Sequence, residues 1–141
     1  MLIIGFTGSR NGMSPMQKAA VRGALAKFIA KLGPGAVGLH GDCVGADAGF
    51  DSLCVELGID RMCRPSSLAY ARAYTGAREI GMPKHPLIRN REIVNDSVVI
   101  IGAPHSYKEV LRSGTWATLR YARNVGRTIQ IIAPDGDDYT W

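Results

Sequence analysis

The chain has 141 residues, of which 46% are apolar and 21% are charged, and its formal net charge at neutral pH is +5. This composition is that of one globular domain with a sizeable core, and it excludes a disordered or collagen-like chain. No apolar run approaches the roughly 18 residues of a membrane span, and three cysteines without a C-x-x-C pair predict a reducing, cytoplasmic location rather than disulfides or structural zinc.

The first predicted unit is a strand followed by a long helix. Residues 2–7 (LIIGFT) are short and apolar and end at a glycine, which is typical of a buried strand rather than a signal peptide. The helix is predicted over 15–32, because Ser14 and Gln17 form an S-x-x-Q capping box and Pro15 occupies the first helical position.

The same alternation continues along the rest of the chain. Further strands are predicted at 36–40, 59–64, 97–103 and 128–133, and further helices at 46–57, 86–95 and 114–125. Residues 65–86 have no clean period and contain several glycines and prolines. They are predicted to form a long irregular excursion with a helical turn near 67–74, and the polar tail DGDDYTW is predicted to be short and irregular.

Five strands that alternate with helices predict an α/β fold. Residues 1–141 are expected to form a single Rossmann-like, three-layer domain with a mainly parallel five-stranded sheet. Ligands of such sheets bind beyond the carboxyl ends of the strands, near the point where the strand order reverses. The loops after the first, second and fourth predicted strands are therefore expected to meet in one cleft.

Glycines and short polar side chains follow these three strands. They are Gly8, Ser9 and Arg10 after the first, Gly41, Asp42, Gly45 and Asp47 after the second, and Ser113, Gly114 and Thr115 after the fourth. Backbone N–H groups in such turns and helix starts bind phosphate, and either aspartate is suited to accept from ribose hydroxyls. The alternatives are a merely polar turn at each place and, for Asp47, a first-turn carboxylate favoured by the helix dipole. Two aspartates without a third ligand predict no metal site.

Five other side chains near these loops are candidates for a functional or a structural role. Arg89 either reaches a phosphate or lies on a solvated helix face, and Asn90 beside it favours a polar role because asparagine is a poor helix former. Trp116 either stacks on a base or packs in the core. His40 and Cys43 are interpreted as packed strand-end residues rather than as a metal ligand and a nucleophile.

Positive charge is concentrated in the second half of the chain. Residues 61–127 contain twelve basic and four acidic side chains, whereas residues 1–60 contain five of each. Such an excess favours an anionic partner, although a solvated basic surface would give the same pattern.

Four strings resemble the SLOG superfamily of Rossmann-like nucleotide-binding proteins. They are TGSR, HGDCVGAD, LIRNREIVNDSVVIIGAP and RSGTWATLRYARNVGR, and the resemblance extends over roughly residues 2–134. The superfamily includes the Lonely Guy hydrolases, molybdenum cofactor carrier proteins and the core of DNA-processing protein A. The closest resemblance is to its small stand-alone members.

The resemblance implies one nucleotide pocket and a homo-oligomer, since many members are dimers. No cofactor is predicted. In the superfamily the first loop, the G-x-x-G-x-D-like turn and the glycine–threonine helix start line that pocket. The matching positions here are Gly8, Ser9, Arg10, Gly41, Gly45, Asp47, Ser113, Gly114 and Thr115, with Arg89 and Asn90 matching the Arg-Asn of the third helix.

One position departs from the Lonely Guy pattern. Those hydrolases carry P-G-G-x-G-T-x-x-E, and its glutamate cleaves an N-glycosidic bond, whereas Thr118 occupies that position here. A threonine cannot stabilise an oxocarbenium-like state or activate water as a carboxylate does. Asp42, Asp47 and Glu92 are the candidate substitutes, and no catalytic residue is assigned.

Three functions compete on this basis. The leading hypothesis is a sensor or sequestering module for a small phosphorylated nucleotide or nucleotide derivative, such as an ADP-ribose-like molecule. The second is an N-glycosidase or nucleoside monophosphate phosphoribohydrolase. The third is a single-stranded nucleic-acid binder, suggested by the basic half, although the aromatic residues are few and no basic tail is present.

Overall fold

A computed structural model describes residues 2–141, which form one α/β domain. The strands are β1 (Ile3–Gly8), β2 (Val37–His40), β3 (Asp60–Cys63), β4 (Arg78–Glu79), β5 (Val99–Ala103), β6 (Thr128–Ile132) and β7 (Asp138–Thr140). The helices are α1 (Pro15–Leu32), α2 (Ala46–Glu56), α3 (Pro86–Asp96) and α4 (Gly114–Asn124), and a single 3-10 turn spans Ala69–Ala71. No helix in this part of the chain is long and apolar enough to cross a bilayer.

The strands form one sheet in the order β4-β3-β2-β1-β5-β6-β7. Every neighbouring pair is parallel except β6 and β7, which are antiparallel. The chain adds strands on one side of β1 as far as β4 and then crosses to the other side, where β5 pairs with β1. The strand order therefore reverses between β1 and β5, and a ligand cleft is expected there.

Helices cover both faces of the sheet. On one face α1 and α2 bury residues such as Leu25 and Phe50 against Ile4 and Ile101, and the rings of Phe6 and Phe50 stack at 4.5 Å between centroids. On the other face α3 and α4 pack against β5 and β6. Because both faces are covered, the central strand β5 is buried at all five of its positions.

The capping box at the start of α1 forms only in part. The Ser14 hydroxyl accepts a hydrogen bond from the Gln17 backbone N–H at 3.0 Å, as the sequence predicts. The Gln17 amide, however, does not reach back to the cap. Its Nε2 donates to the carbonyls of Pro104 and Ile132, each at 2.9 Å, and so ties the start of α1 to the chain beyond β5 and to the end of β6.

The prediction of five strands is wrong in number, since seven are found within residues 2–141. The two additional strands are the sheet edges β4 and β7, which have two and three residues. Strands of two or three residues are too short to show an alternation of apolar and polar residues. β4 therefore fell within the predicted excursion and β7 within the predicted tail. The three-layer α/β architecture and the mainly parallel sheet are confirmed.

Candidate functional site

A cleft of about 450 Å³ opens at the carboxyl ends of the central strands. Its walls come from the loops after β1, β2 and β5 and from the first turns of α3 and α4. Of the predicted site residues, those that line it are Gly8, Ser9, Arg10, Gly41, Asp47, Arg89, Asn90, Ser113, Gly114 and Thr115. The expected meeting of three separate loops therefore occurs, at the reversal of strand order.

The loops after β1 and β2 pack directly against each other. The Ser9 carbonyl accepts from the backbone N–H of Ala46, the first residue of α2, at 2.9 Å. Gly45 has a φ of +90°, and a Cβ placed on it would lie 2.3 Å from the Arg10 carbonyl oxygen. Gly45 does not line the cleft, so its role here is to let the two loops approach, rather than to contact a ligand as predicted.

Asp47 places a buried carboxylate on the floor of the cleft. Its side-chain Oδ2 accepts from the backbone N–H groups of Gly41 and Cys43, each at 3.1 Å, and the residue is 6% exposed. Burial raises the pKa of Asp47, and the nearby His40 and Arg89 only partly offset that effect. Oδ1 accepts from no group of residues 2–141. Within these residues every fully buried polar side-chain atom has a hydrogen-bond partner. Oδ1 has none, so it is not fully buried, and it is open to the cleft that Asp47 lines.

The guanidinium of Arg89 is buried in the cleft wall, with the residue only 4% exposed. Its Nη1 donates to the carbonyls of Gly41 and Arg64, at 2.6 and 3.1 Å, and its Nε donates to Asn90 Oδ1 at 2.8 Å. Its Nη2 donates to the Cys43 sulfur at 3.4 Å. Of five N–H donors, one is left over, and no carboxylate within residues 2–141 forms an ion pair with Arg89. The solvated-face interpretation of Arg89 is therefore wrong.

The start of α4 presents unpaired donors to the cleft. The Ser113 hydroxyl caps the helix by accepting from the Trp116 N–H at 3.2 Å, and the first helical bond runs from the Ala117 N–H to the Ser113 carbonyl. The N–H groups of Gly114 and Thr115 precede that bond and have no partner within the helix. Together with the helix dipole they make this end of the cleft favourable for an anion.

Arg10 was predicted from the sequence, and its exposed side chain makes no hydrogen bond or ion pair within residues 2–141.

Several other cleft residues were not predicted from the sequence. The loop after β5 adds His105, Ser106 and Val110, and the start of α3 adds Pro86 and Leu87. These five lie in a loop and at a helix start. Ser106 is the one hydroxyl among them and none is a glycine, so the combination that marked the predicted turns is absent.

Asp42 does not line the cleft, contrary to its predicted role as a ribose acceptor. The residue is 1% exposed, and its Oδ2 accepts from both Nε and Nη2 of Arg72, at 3.0 and 2.8 Å. Its Oδ1 accepts from the N–H and the hydroxyl of Thr75, at 3.0 and 2.8 Å. Asp42 therefore fastens the excursion to the β2–α2 turn.

His40 supports that turn from beneath and is fully buried. Its Nδ1 accepts from the Asp42 backbone N–H at 2.9 Å, so the ring proton lies on Nε2, which is 2.9 Å from Asp51 Oδ1. Arg61 Nε donates to the same carboxylate oxygen at 2.9 Å. The interpretation of His40 as a packed strand-end residue agrees with this arrangement.

Trp116 lies in the core rather than on the cleft surface. The residue is 2% exposed, its Nε1 donates to the Ser106 hydroxyl at 3.1 Å, and its ring meets that of Trp141 edge-on, with 5.5 Å between centroids. The packing interpretation of Trp116 therefore agrees with the structure, and the base-stacking interpretation does not.

The position of the Lonely Guy glutamate also faces away from the cleft. Thr118 is 4% exposed, and its hydroxyl donates to the Gly114 carbonyl at 2.9 Å within α4. Among the three candidate carboxylates, Glu92 pairs with Arg64 and Lys84, and Asp42 is clamped as described. Asp47 is the candidate that reaches the cleft.

The sequence matches no protein-family model and no curated protein, but solved structures share its fold. The molybdenum cofactor binding protein of Rippkaea orientalis superposes with a TM-score of 0.71 at 19% identity, over 94% of this chain and 76% of that one. DNA processing protein A of Streptococcus pneumoniae gives 0.65 at 20% identity, over 93% of this chain and 50% of that one.

The same protein of Helicobacter pylori, whose structure concerns a single-stranded DNA binding mode, gives a TM-score of 0.63 at 21% identity, over 92% of this chain and 64% of that one. This chain thus spans less than two thirds of either DNA processing protein. These likenesses, at 19–21% identity, confirm the Rossmann-like α/β fold that the resemblance implies.

Proposed function

We propose that the cleft binds a small phosphorylated nucleotide or nucleotide derivative of the ADP-ribose kind, and that the protein senses or sequesters this ligand. The observation that supports the proposal most strongly is the state of Arg89. A buried guanidinium with a spare donor and no carboxylate partner is costly unless an anion completes its surroundings. A phosphate oxygen in the cleft supplies that anion.

Three sources of positive potential face the same space. Arg10 brings an uncommitted charge from the first loop, Arg89 a buried one from α3, and Gly114 and Thr115 the free N–H groups of α4. Charge-assisted hydrogen bonds to phosphate are about twice as strong as neutral ones. The combination favours a phosphate over a neutral or cationic ligand.

The size of the cleft supports a small ligand. Its volume of about 450 Å³ lies within the range of about 300–1,000 Å³ that is usual for sites of small molecules and cofactors. The lining also includes apolar surface from Phe6, Leu87, Ile93 and Val110, which suits the flat face of a base or sugar.

Isothermal titration calorimetry against AMP, ADP, ADP-ribose and inorganic phosphate tests the proposal. We expect Arg10→Ala to weaken binding of the nucleotides about tenfold or more, since it removes a charge-assisted contact. Arg22→Ala is the matched control, because Arg22 lies on α1, is exposed and pairs only with Glu56. Absence of binding by every compound to the folded wild-type protein would overturn the proposal.

Single-stranded nucleic acid is a second candidate, favoured by two exposed tyrosines on the excursion. Tyr70 and Tyr74 are 80% and 64% exposed, and the Arg72 guanidinium lies 4.4 Å from the centre of the Tyr74 ring. Exposed aromatic rings suit stacking with the bases of a single strand. This candidate predicts an affinity for oligonucleotides that falls steeply with salt and that Tyr70→Ala weakens, whereas mononucleotide binding should not depend on Tyr70.

A further inference from the structure

We propose that Asp47 makes the cleft selective for ligands whose ribose keeps its free hydroxyl groups, because Oδ1 of Asp47 is placed to accept a hydrogen bond from one of them. The inference rests on the proposed function, since it concerns how the same cleft recognises its ligand. It adds a chemical requirement that phosphate binding alone does not impose.

The two oxygens of this carboxylate differ in their surroundings. Oδ2 is occupied by the backbone N–H groups of Gly41 and Cys43, whereas Oδ1 has no donor from residues 2–141 and faces the cleft. An acceptor that no protein group pairs and that opens into the cleft is available to the ligand, so a ligand that donates to Oδ1 makes a charge-assisted hydrogen bond that one without the donor cannot make. The geometry therefore calls for a donor on the ligand.

The turn around Asp47 holds the carboxylate in this orientation. The Asp42 backbone N–H is fixed by His40 Nδ1, and the Asp42 side chain is fixed by Arg72 and Thr75. The N–H groups of Gly41 and Cys43 flank Asp42 in this turn, so their positions are fixed as well. Oδ2 consequently stays with these two groups, and Oδ1 remains the oxygen offered to the ligand.

Charge decides which end of a nucleotide lies near Asp47. A carboxylate repels phosphate, whereas Arg10, Arg89 and the start of α4 attract it, so the phosphate is expected on these three groups and the sugar toward Asp47. A base amino group is the other donor that a nucleotide carries, and the test separates it from the sugar.

The test compares ligands that differ by one donor, again by titration calorimetry. AMP and ADP-ribose are compared with their 2′-deoxy and 3′-deoxy derivatives, and AMP also with IMP, which lacks the base amino group. We expect at least one deoxy derivative of each to bind about tenfold or more weakly than its parent, and IMP to bind as well as AMP. Equal affinity of ribo and deoxy forms, or a loss confined to IMP, would overturn the inference.

The variant Asp47→Asn isolates the role of the side chain. The amide oxygen of asparagine can keep the hydrogen bonds from Gly41 and Cys43, and its NH₂ then replaces the acceptor in the cleft by a donor. The NH₂ group can still donate to a hydroxyl, but a neutral bond is weaker than one to a carboxylate, so we expect the preference for ribose over deoxyribose to shrink severalfold, while inorganic phosphate binds as to the wild type. Because asparagine has nearly the same size and keeps the two hydrogen bonds from Gly41 and Cys43, the variant should remain folded.

Asp60→Asn is the matched control, because Asp60 is exposed at the start of β3 and belongs to no ion pair within residues 2–141. It should retain the full ribose preference. The outcomes separate the two proposals. If the nucleotides bind without discrimination, the role of Asp47 is refuted and the proposed function stands; if none binds, both fail. Retention of the full ribose preference in Asp47→Asn would also refute the role of Asp47.

Discussion

Single buried polar side chains position the cleft. Gln17 ties the start of α1 to the ends of β5 and β6, His40 fixes the turn after β2, and Arg89 anchors that turn to α3. Gln17 and Arg89 make hydrogen bonds to backbone groups far away in the chain, and His40 bonds the backbone two residues ahead. Because buried backbone groups must be paired, these side chains determine where the loops lie as well as how stable they are.

Gly45 combines a positive φ with a close backbone contact, so a side chain there is not tolerated. Its φ of +90° is one that only glycine adopts readily, and a Cβ would overlap the Arg10 carbonyl. We expect Gly45→Ala to lower the free energy of unfolding by about 2 kcal/mol or more, measured by urea denaturation.

Gly23→Ala is the control for that substitution. Gly23 lies within α1, and no atom lies within 4 Å of a Cβ placed on it. Alanine there should stabilise the protein by about 0.5–1 kcal/mol, because it favours the helix. A Gly45→Ala variant as stable as the wild type would contradict the packing of the two loops described above.

At the scale of elements, the helices and the central strands could be predicted, and the excursion could not. Helix α1 was predicted with its observed bounds because Pro15 and Ser14 start it and Gly33 ends it, which are local signals. The strands β1, β5 and β6 follow from buried apolar runs. The excursion is held instead by Asp42, whose partners Arg72 and Thr75 lie 30 and 33 residues away, and no local pattern reveals such contacts.

The candidate site shows the same division. The positions on strand-end turns, such as Ser9, Asp47 and Thr115, were found because topology alone brings those turns together. The difference between Asp47 and Asp42 could not be predicted, because both follow β2. Only their three-dimensional partners show that the Asp47 carboxylate lines the cleft and that the Asp42 carboxylate is paired with Arg72. Trp116 is similar, because an aromatic residue at a helix start fits a base or the core equally well.

The contacts of Asp42 with Arg72 and Thr75 form a clamp on the irregular segment 65–86, and its loss should make that segment more mobile. Asp42→Asn keeps the shape and tolerates the positive φ of 56°, but it removes the charge that Arg72 needs. Breaking a buried pair of this kind typically costs about 3–5 kcal/mol. Amide hydrogen exchange of residues 69–77 should accelerate, whereas exchange of β5 should change less; equal acceleration everywhere would argue against a local clamp.

The same clamp gives a pH dependence with a defined sign. Burial alone would raise the pKa of Asp42, but the hydrogen bonds from Thr75 and the charge of Arg72 outweigh it and lower the pKa below the ordinary value of 3.8. The stabilisation is therefore complete above pH 3.8 and is lost as the pH falls through the lower folded value. Below that pH the difference in stability between wild type and Asp42→Asn should shrink.

At the scale of the whole molecule, the cleft joins two halves of the sheet. The chain builds the β2–β4 side first and the β5–β7 side second, and the cleft takes loops from both sides of the reversal between β1 and β5. Some basic side chains of residues 61–127, such as Arg64 and Arg72, form ion pairs inside the protein. The positive charge available to a ligand is therefore smaller than the net charge of that segment. Arg10, from the balanced half, is the uncommitted charge in the cleft.

A ligand that spans this cleft should stabilise the whole domain. At a concentration one hundred times its Kd, a ligand that binds the folded state adds about 2.7 kcal/mol, which is measurable as a rise in Tm. Exchange protection should increase at the loops after β1, β2 and β5 together, and not at the edge strand β7. Protection confined to one of these loops would contradict a shared site.

The pair formed by Trp116 and Trp141 carries an optical consequence. They are the two tryptophans of the chain, and the indole N–H of Trp116 bonds to Ser106, which lines the cleft. A ligand that moves Ser106 would change the polarity around the buried Trp116 indole. The wavelength of the intrinsic tryptophan emission would then report binding. The edge-on contact of the two indoles should also give a near-ultraviolet circular dichroism band, and loss of Trp141 would remove that band while leaving the emission reporter in place.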